Sequence, residues 1–521
     1  MAGTVPLDAS TPLTSRSGLR TAFALFLVVF GGRAWLAGYA GSSLPLWDQW
    51  WSDVRLLVLP LAEGRLDWRY LTAPHNEHRL LGERLLTLAQ IALSGRWEPR
   101  DGLVLSAAVR ALGLAVVLLL LGRGQTRPHR VVLFVLLAAV GALPAGTFNL
   151  LSAFQVQFFI CEPLTIAALY FLCGGTLTAQ RVALGGGLLL LASVTMATPV
   201  ITAVAAAAVL TLRLAVGGRR EKGLTATVFY LAAFVLLLGV TTPVVVLYPA
   251  RTVAEFVSSF ARMLAWPFPD GLALAVLALL PPALLGGRLV REKALPGPAW
   301  FVLALSTTAV VQSAAAALAR GGVRSEYPQY VDGIWLGHVA GFVALVEALR
   351  PPADRVSRWR SRACLVWAFW LGAGLLADVA SRGVPAVQAV RTAVSVREPR
   401  FAMAVRTGDL AEFEAEARTV NEMLIAREFD FFNHPVGRFA IPGHVYPEFA
   451  RARDRLLAWF PAALTGARPS WPSRAFATLS ALGPWLAVLG VGLGVVSFRR
   501  HGRGGTRAAE RDDPDGREDY E

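Results

Sequence analysis

The stretch TAFALFLVVFGGRAWLAGYA, Thr21–Ala40, decides the fold class of this chain. It is almost wholly apolar and has the length of about 20 residues that a helix needs to cross a ~30 Å hydrocarbon core. No small-residue cleavage signal follows it, so we interpret it as a retained helix and not as a signal peptide. Similar runs recur along the 521 residues, of which 55% are hydrophobic and 17% charged. The sequence therefore predicts an integral membrane protein.

Hydropathy predicts an all-α polytopic fold with about twelve transmembrane helices. They lie near residues 21–40, 103–121, 131–147, 157–177, 183–197, 199–215, 225–247, 271–287, 298–318, 334–349, 363–380 and 476–497. Residues 183–215 form one long apolar run, which Pro199 and its neighbouring threonines would break into a hairpin. With that hairpin, the basic loops all fall on one side, as the positive-inside rule requires, and both termini are cytoplasmic.

The predicted organisation has four parts. A transmembrane bundle occupies 1–380 and contains the first outward loop, 41–102; an outward-facing helical segment follows at 381–475. Residues 476–498 form the last transmembrane helix, and the charged residues 499–521 are expected to be a disordered cytoplasmic tail. The net charge of +14 comes from short loops between apolar runs, so it indicates membrane topology and excludes nucleic acid as a partner.

The loop after the first apolar run contains PLWDQWWSDVRLL, Pro45–Leu57. Read as a helix, it places Trp47, Trp50 and Trp51 on one face, which is typical of a surface helix with its indoles at the lipid headgroups. The same interpretation leaves Asp48 at the mouth of a membrane bundle, where partial desolvation favours a role as a catalytic base.

A denser polar cluster follows in PHNEHRLLGER, Pro74–Arg84. Pro74 is expected to begin a helix whose one face carries His75, His78 and Arg79. Two imidazoles with Glu77 between them could hold a divalent metal, although this spacing is not the usual zinc pattern. A polar network that binds substrate phosphate through Arg79 is the favoured alternative, with Asn76 part of the same cluster.

Two further polar segments are predicted on the same side of the membrane. TFNLLSAFQVQFF, Thr147–Phe159, carries Gln155 and Gln157, which either cap helix ends or hold a polar headgroup or sugar. ARGGVRSEYPQYVDG, Ala319–Gly333, is either a solvated loop or a lipid-phosphate clamp. The residues that the clamp would use are Arg320, Arg324, Tyr327 and Tyr330.

On these residues, the chain resembles the membrane-integral glycosyltransferases of the C superfamily (GT-C type), which take sugars from polyprenyl-phosphate carriers. The likeness covers the plan of most of the chain: many helices, an acidic first outward loop with surface helices, and a closing outward segment. PHNEHR and RSEYPQY also resemble stretches of uncharacterised bacterial polytopic proteins grouped near these enzymes. The resemblance implies that Asp48 is the catalytic base or acceptor-orienting group, with Asp53 as its partner. The two aspartates are five residues apart instead of adjacent, so on a continuous α-helix they diverge by about 140°.

The implied activity is sugar transfer from a polyprenyl-phosphate donor to a lipid, glycan or protein acceptor at the outer face of the cytoplasmic membrane. Its partners would be the lipid-linked sugar and membrane lipid, and no cofactor is implied with certainty, a divalent metal being the alternative. A transporter or flippase of a lipid-linked glycan, or a non-catalytic scaffold, stays open. Transport predicts ionisable side chains inside the spans. The sequence disfavours transport, because Arg33 and Arg110 are expected near span ends.

Overall fold

The computed structural model of the chain describes residues 15–75, 78–217, 223–241, 249–268, 272–293, 297–321, 330–350, 358–425, 441 and 445–509. The helices of its first half are α1 (Arg16–Ala40), α2 (Trp47–Gln49), α3 (Leu59–Ala62), α4 (Trp68–Thr72), α5 (Leu81–Ser94), α6 (Pro99–Leu121), α7 (Arg127–Ala142), α8 (Thr147–Leu151), α9 (Val156–Cys173), α10 (Ala179–Ser193) and α11 (Thr198–Gly217). The second half has α12 (Leu224–Thr241), α13 (Val253–Ala265), α14 (Leu272–Glu292), α15 (Gly297–Arg320), α16 (Val331–Ala348), α17 (Arg358–Asp378), α18 (Val384–Thr407), α19 (Ala411–Ile425), α20 (Tyr446–Leu456), α21 (Ala462–Thr465) and α22 (Trp471–Ala509). A π-helical segment at Trp50–Val58 joins α2 to α3, and another at Val379–Gly383 joins α17 to α18.

The protein is an all-α polytopic membrane protein. Over the described residues, nine helical segments are long and apolar enough to cross a bilayer. They are Arg16–Ala40, Pro99–Leu121, Ala153–Cys173, Thr198–Val216, Ala273–Glu292, Gly297–Ala319, Val331–Ala348, Trp359–Thr407 and Trp471–Arg499. The other three predicted crossings coincide with α7, α10 and α12, which have 16, 15 and 18 residues. The expected break near Pro199 is present, because α10 ends at Ser193 and α11 begins at Thr198.

The bundle is built around α1, which packs against α6, α7 and α22. A Cβ added to Gly483 of α22 would lie only 2.4 Å from the carbonyl oxygen of Gly31 in α1. Close backbone approach at small residues is the usual way in which transmembrane helices associate, because lipid supplies no hydrophobic drive between them. The glycines at this crossing therefore fix α22 against the first span. The same helix continues to Ala509, and residues 510–521 of the predicted tail lie outside the described part.

A second apolar core lies at the end of the bundle where α1 stops and α6 begins. It combines the segment between those helices with α18, α20 and α21, and we call this assembly the head region. The helix from Trp359 to Thr407 is 49 residues long, roughly 70 Å, whereas a crossing takes about 30 Å. Its second half must therefore project beyond the hydrocarbon, where Phe401 and Val405 are buried in the head region.

The head region corrects the expected role of the tryptophans. Trp50 is only 1% exposed and contacts the rings of Phe401 and Phe449 at centroid distances of 5.7 and 5.2 Å. Trp51 is half-buried, with the guanidinium of Arg55 over its ring at 4.4 Å. The expectation of indoles in the lipid headgroups was wrong for Trp50, because an apolar helix face is buried equally well by protein. The side chain of Trp47 lies outside the described part.

Candidate active site

The π-helical segment at Trp50–Val58 decides how the two aspartates of the first loop are placed. Asp48 lies in α2, just before the segment, and Asp53 lies within it. A π-helix makes i→i+5 hydrogen bonds, so residues five apart lie closer to one face than on an α-helix, and such segments are frequent at functional sites. The divergence expected for a continuous α-helix is thereby reduced.

The histidine cluster lies on a tight turn and not on a helix. The backbone N–H of His75 donates to the carbonyl of His78 at 2.8 Å, and the reverse bond is 2.9 Å. The helix α5 begins only at Leu81, after Leu80 with a φ of 60°. The expectation that Pro74 begins a helix was wrong.

A buried arginine explains this turn. The Nη1 atom of Arg84 donates to the backbone carbonyl oxygens of Tyr70, Leu71 and Ala73 at 2.9, 3.0 and 2.6 Å, and the carbonyl oxygen of Arg79 lies at 3.4 Å. Its side chain is 0% exposed. Carbonyl groups that a helix would have paired are satisfied by this guanidinium instead, which a buried backbone requires. Arg84 therefore holds the turn that carries the histidines.

The turn brings His75 to Asp48. The Nε2 atom of His75 lies 3.5 Å from the Oδ1 atom of Asp48, within ion-pair reach and long for a hydrogen bond. The side chain of His75 is 6% exposed and that of Asp48 is 27% exposed. The ring of Phe154, just before α9, packs edge-on against the imidazole at 5.2 Å. Asp48 is thus the member of the pair that a substrate can reach, with His75 behind it.

Asp53 and Glu83 form a fully buried pair of carboxyl groups, separate from the pair of Asp48 and His75. Each is 1% exposed, and the two carboxyl groups interact directly. Gln49 donates to Asp53 Oδ2 at 3.2 Å, and Thr87 donates to Glu83 Oε1 at 2.9 Å. Burial and the charge of Glu83 raise the pKa of Asp53, and burial raises the pKa of Glu83 to about 7. Two buried carboxylates with few donors favour one shared proton at neutral pH.

Because the pKa values of this pair are raised, we expect the protein to be more stable in mild acid than at alkaline pH. Both folded-state pKa values are raised, so the folded state holds more protons than the unfolded state, and stability falls as pH rises from about 5 through 7. Glu98, whose pKa burial raises to about 7, acts in the same direction. We expect a loss on the order of 2 kcal/mol between pH 5 and pH 8.

Thermal unfolding in detergent at several pH values measures this dependence. The double variant Asp53→Asn/Glu83→Gln keeps the shape and removes both titrations, so its melting temperature should vary less with pH. An equally steep dependence in that variant would show that the pair does not set it. Glu412→Gln, an exposed carboxyl in the head region, is the matched control.

Several predicted site residues lie elsewhere or cannot be placed. Gln155 and Gln157 are buried before and at the start of α9, each with an Oε1 atom that has no hydrogen-bond partner. Tyr330 packs on Phe158 at 6.1 Å, next to the same segment. Residues outside the described part are Asn76, Glu77, Arg324 and Tyr327, together with the side chain of Arg320. His78 Nδ1 accepts from the backbone N–H of Ala197 at 3.4 Å, and Arg79 is half-buried.

The two histidines have different surroundings, His75 at Asp48 and His78 at the α10–α11 turn. Within the described ranges, no three His, Cys, Asp or Glu side chains are grouped to hold a metal ion. Glu77, the residue that would complete the predicted set, lies outside those ranges. The hypothesis of a metal site therefore stays a prediction.

A buried ionic cluster lies inside the bundle, below the head region. Arg110 of α6 donates to Glu162 Oε1 at 2.6 Å and to Asp332 Oδ1 at 2.7 Å, and Asn149 donates to Asp332 Oδ2 at 2.9 Å. Arg33 lies beside them, with Phe159 between the two guanidiniums at 4.6 and 5.1 Å. Arg110 is 1% exposed and lies midway along α6, so the expectation that it sits near a span end was wrong. Ionisable groups at this depth are costly and mark functional sites by default.

Sequence reasoning missed three residues of these clusters. It gave none of Glu83, Arg84 and Asp332 a role in the site. A glutamate and an arginine adjacent in an otherwise apolar helix, as in LGERLLTLAQIAL, are a usable signal, because charged side chains are seldom buried without partners. The partner of Glu83 is 30 positions away along the chain and that of Asp332 is 222 positions away, which no local pattern reveals.

No family model, curated protein or solved structure matches this chain.

Proposed function

We propose that this chain transfers a sugar from a polyprenyl-phosphate donor to a lipid, glycan or protein acceptor at the outer face of the cytoplasmic membrane. One observation carries the proposal: a partly exposed carboxyl, that of Asp48, lies 3.5 Å from a buried histidine at the mouth of a transmembrane bundle. An acid or base at the membrane surface, supported by a second titratable group, is what such a transfer needs.

In the proposed reaction, the Asp48 carboxylate accepts the proton of an acceptor hydroxyl. The hydroxyl oxygen attacks the anomeric carbon, the bond from that carbon to the phosphate oxygen breaks, and polyprenyl phosphate leaves with the bonding electrons. His75 is assigned a positioning role, because its buried imidazole lies within ion-pair reach of the Asp48 carboxylate. Arg79, half-buried on the same turn, is the described candidate for holding the donor phosphate.

The carboxyl pair of Asp53 and Glu83 supports this site from behind. With Gln49 it ties the π-helical segment to α5, so that Asp48 and the histidine turn keep their relative position. Asp53 is too deeply buried to touch a substrate without rearrangement. Its proposed role is therefore positioning, and not the second catalytic carboxylate that the resemblance implied.

The experiment is an assay of the purified protein in lipid vesicles with a panel of radiolabelled polyprenyl-phosphate monosaccharides and a membrane-lipid extract as acceptor. The proposal expects release of polyprenyl phosphate and labelled product from at least one donor, without added nucleotide. Absence of release from the whole panel by folded protein would count against it. Addition of a chelator in a parallel sample measures any dependence on divalent metal.

The proposal includes about twelve crossings, cytoplasmic termini and a head region facing outward. Asp454 in the head region has a side chain that is 81% exposed, and Thr126 is exposed in the α6–α7 connection at the opposite end. In intact cells, an impermeant thiol reagent should label Asp454→Cys and spare Thr126→Cys until the membrane is permeabilised. The three native cysteines are buried, so the parent protein supplies a low background.

Labelling of Thr126→Cys alone in intact cells would reverse this topology and place the Asp48 site in the cytoplasm. That result would contradict an extracytoplasmic transfer. Labelling of both positions would indicate a mixed orientation, which the positive-inside distribution of basic residues does not predict.

A second candidate function is transport of a lipid-linked glycan, and the buried ionic cluster favours it. Two carboxyls and two arginines inside the bundle are the kind of group on which ion- or proton-coupled transporters depend. The cluster also has a structural interpretation, since it links α6, α9 and α16 at one depth. We rank transport second because the cluster is internally paired, whereas Asp48 is accessible.

A further inference from the structure

A cavity of about 570 Å³ lies beside α1, α6 and α22, where these helices meet the head region. We call it the lateral cavity. Its apolar wall is formed by Trp35, Val104, Phe476 and Ala477. The helix α22 lies at the edge of the bundle, with other side chains such as Trp485 and Val488 72% and 64% exposed. The lateral cavity is therefore on the lipid-facing periphery of the protein.

The opposite end of the lateral cavity is polar. Glu98, Asp101, Ser473 and Arg474 line it. Ser473 donates to Asp101 Oδ2 at 2.6 Å, while the backbone N–H of Ala462 donates to Glu98 Oε2 at 3.3 Å. The exposed guanidinium of Arg474 stands at the rim. One cavity thus joins an apolar wall at membrane depth to a charged end at the level where the bundle meets the head region.

Among the described residues that line the cavity, Glu98 has a buried polar atom without a hydrogen-bond partner. It is only 9% exposed, and its Oε1 atom is buried without a hydrogen-bond partner. A buried carboxyl oxygen without a donor costs free energy unless something supplies one. Glu98 also borders a void of about 10 Å³ that Asp53 lines, a space for one water at most. That void is too small for a ligand, so a group larger than water can reach Glu98 only from the lateral cavity.

Arg100 does not supply the hydrogen-bond donor that Glu98 lacks. Its guanidinium is held by both carboxylate oxygens of Glu398 at 3.0 and 2.8 Å and by the carbonyl of Gly41 at 3.0 Å. The groups left for a ligand are an acceptor at Glu98 and a cation at Arg474. Their order from the interior to the rim is acceptor first, cation second.

We propose that the lateral cavity binds a phospholipid whose headgroup carries a primary ammonium beyond its phosphate. The ammonium donates to Glu98, the phosphate meets Arg474 at the rim, and an acyl chain lies along the apolar wall. The ammonium meets the Glu98 carboxyl and the phosphate meets the Arg474 guanidinium, each through a charge-assisted hydrogen bond. The order of the two protein groups is thus the order of the two charges along the headgroup. This assignment concerns binding and does not rest on the proposed sugar transfer.

The test is native mass spectrometry of the full-length protein with phosphatidylethanolamine and phosphatidylcholine of identical acyl chains. Their headgroups differ in the three N-methyl groups of phosphatidylcholine, which remove every N–H donor and enlarge the ammonium. We expect wild-type protein to retain phosphatidylethanolamine with a preference of about tenfold, the ratio that one charge-assisted hydrogen bond supplies. Phosphatidylglycerol, with hydroxyl donors and no cation, should be retained less well than phosphatidylethanolamine.

Two variants locate the site. Glu98→Gln removes the charge and should reduce the preference for the primary amine severalfold. Ala477→Trp fills the apolar wall and should reduce retention of both lipids. Val488→Trp, on the same helix and outside the cavity, is the matched control and should behave as wild type. Melting temperatures measured alongside show whether each variant is folded.

Equal retention of the two lipids by wild-type protein would overturn the proposal. Unchanged retention of both lipids by folded Ala477→Trp protein would overturn it as well, even if Glu98→Gln fails to fold. Because no sugar donor is present, these outcomes are independent of the transfer assay.

Discussion

Asparagine in place of Asp48 is expected to reduce sugar transfer by at least about 100-fold, the lower range for loss of a general base. The amide keeps the size and hydrogen-bonding capacity of the side chain but cannot accept the proton of an acceptor hydroxyl at neutral pH. Asp48 is partly exposed and lies outside both apolar cores, so the protein should fold to a normal level. The measurement is the initial rate of polyprenyl-phosphate release in vesicles, with protein amounts matched.

Two companion variants sharpen this result. His75→Gln removes the imidazole behind Asp48 and should lower the rate less than Asp48→Asn while shifting its dependence on pH. Asp67→Asn lies in the same loop, where Asp67 caps α4 through the backbone N–H of Arg69, and its exposed amide should leave the rate unchanged. A wild-type rate in Asp48→Asn protein would remove this residue from the mechanism.

Alanine in place of Arg110 is expected to destabilise the protein by about 3–5 kcal/mol, the cost of removing one partner from a buried ion pair. Glu162 and Asp332 would be left facing each other without the guanidinium that bridges them. In a bundle interior neither carboxylate can be solvated, so both must bind protons or the helices must separate. A thermal melt in detergent, together with the yield of folded protein, measures the effect.

The control for Arg110 is a compensated variant. Arg110→Met/Glu162→Gln/Asp332→Asn removes the charges together and should recover most of the lost stability, because no uncompensated charge stays buried. Arg400→Ala in the head region removes a 60%-exposed arginine with one carboxylate partner and should cost about 1 kcal/mol or less. A melting temperature for Arg110→Ala close to wild type would show that the cluster does not hold α6, α9 and α16 together.

The polytopic architecture could be predicted from the sequence because every segment that crosses a bilayer must meet the same requirement of length and apolar composition. An apolar run of sufficient length must be a helix, and each of the twelve predicted segments overlaps one. The break near Pro199 was also predictable, since proline and polar residues interrupt such a run locally. The number of crossings stays a prediction for α7, α10 and α12, which are not among the nine spanning segments identified over the described residues.

The site was less predictable because its geometry depends on contacts between distant residues. The tryptophan pattern indicated an apolar face, yet only the packing of Phe401 and Phe449 shows that protein covers Trp50. Pro74 favoured a helix start, but the guanidinium of Arg84 collects the carbonyls of that segment instead. Asp332 was assigned to a loop, although it pairs with Arg110 across the bundle.

The structure places His75 beside Asp48. Both residues lie in the segment between α1 and α6, so they are near neighbours along the chain. The contact also depends on the position of His75, whose backbone is bonded to that of His78. Whether Asn76, Glu77 and Arg324 complete the site stays a prediction, because they lie outside the described residues.

The most direct measurement follows chemistry and movement of the same lipid-linked sugar in one proteoliposome preparation. Wild-type, Asp48→Asn and Asp332→Asn proteins are compared for release of polyprenyl phosphate and for transfer of the intact donor between leaflets. We expect wild-type protein to release polyprenyl phosphate and form a glycosylated product, and Asp48→Asn protein to do neither. Movement of the intact donor without product by wild-type and Asp48→Asn alike, and its loss in Asp332→Asn, would contradict the transferase and identify a transporter.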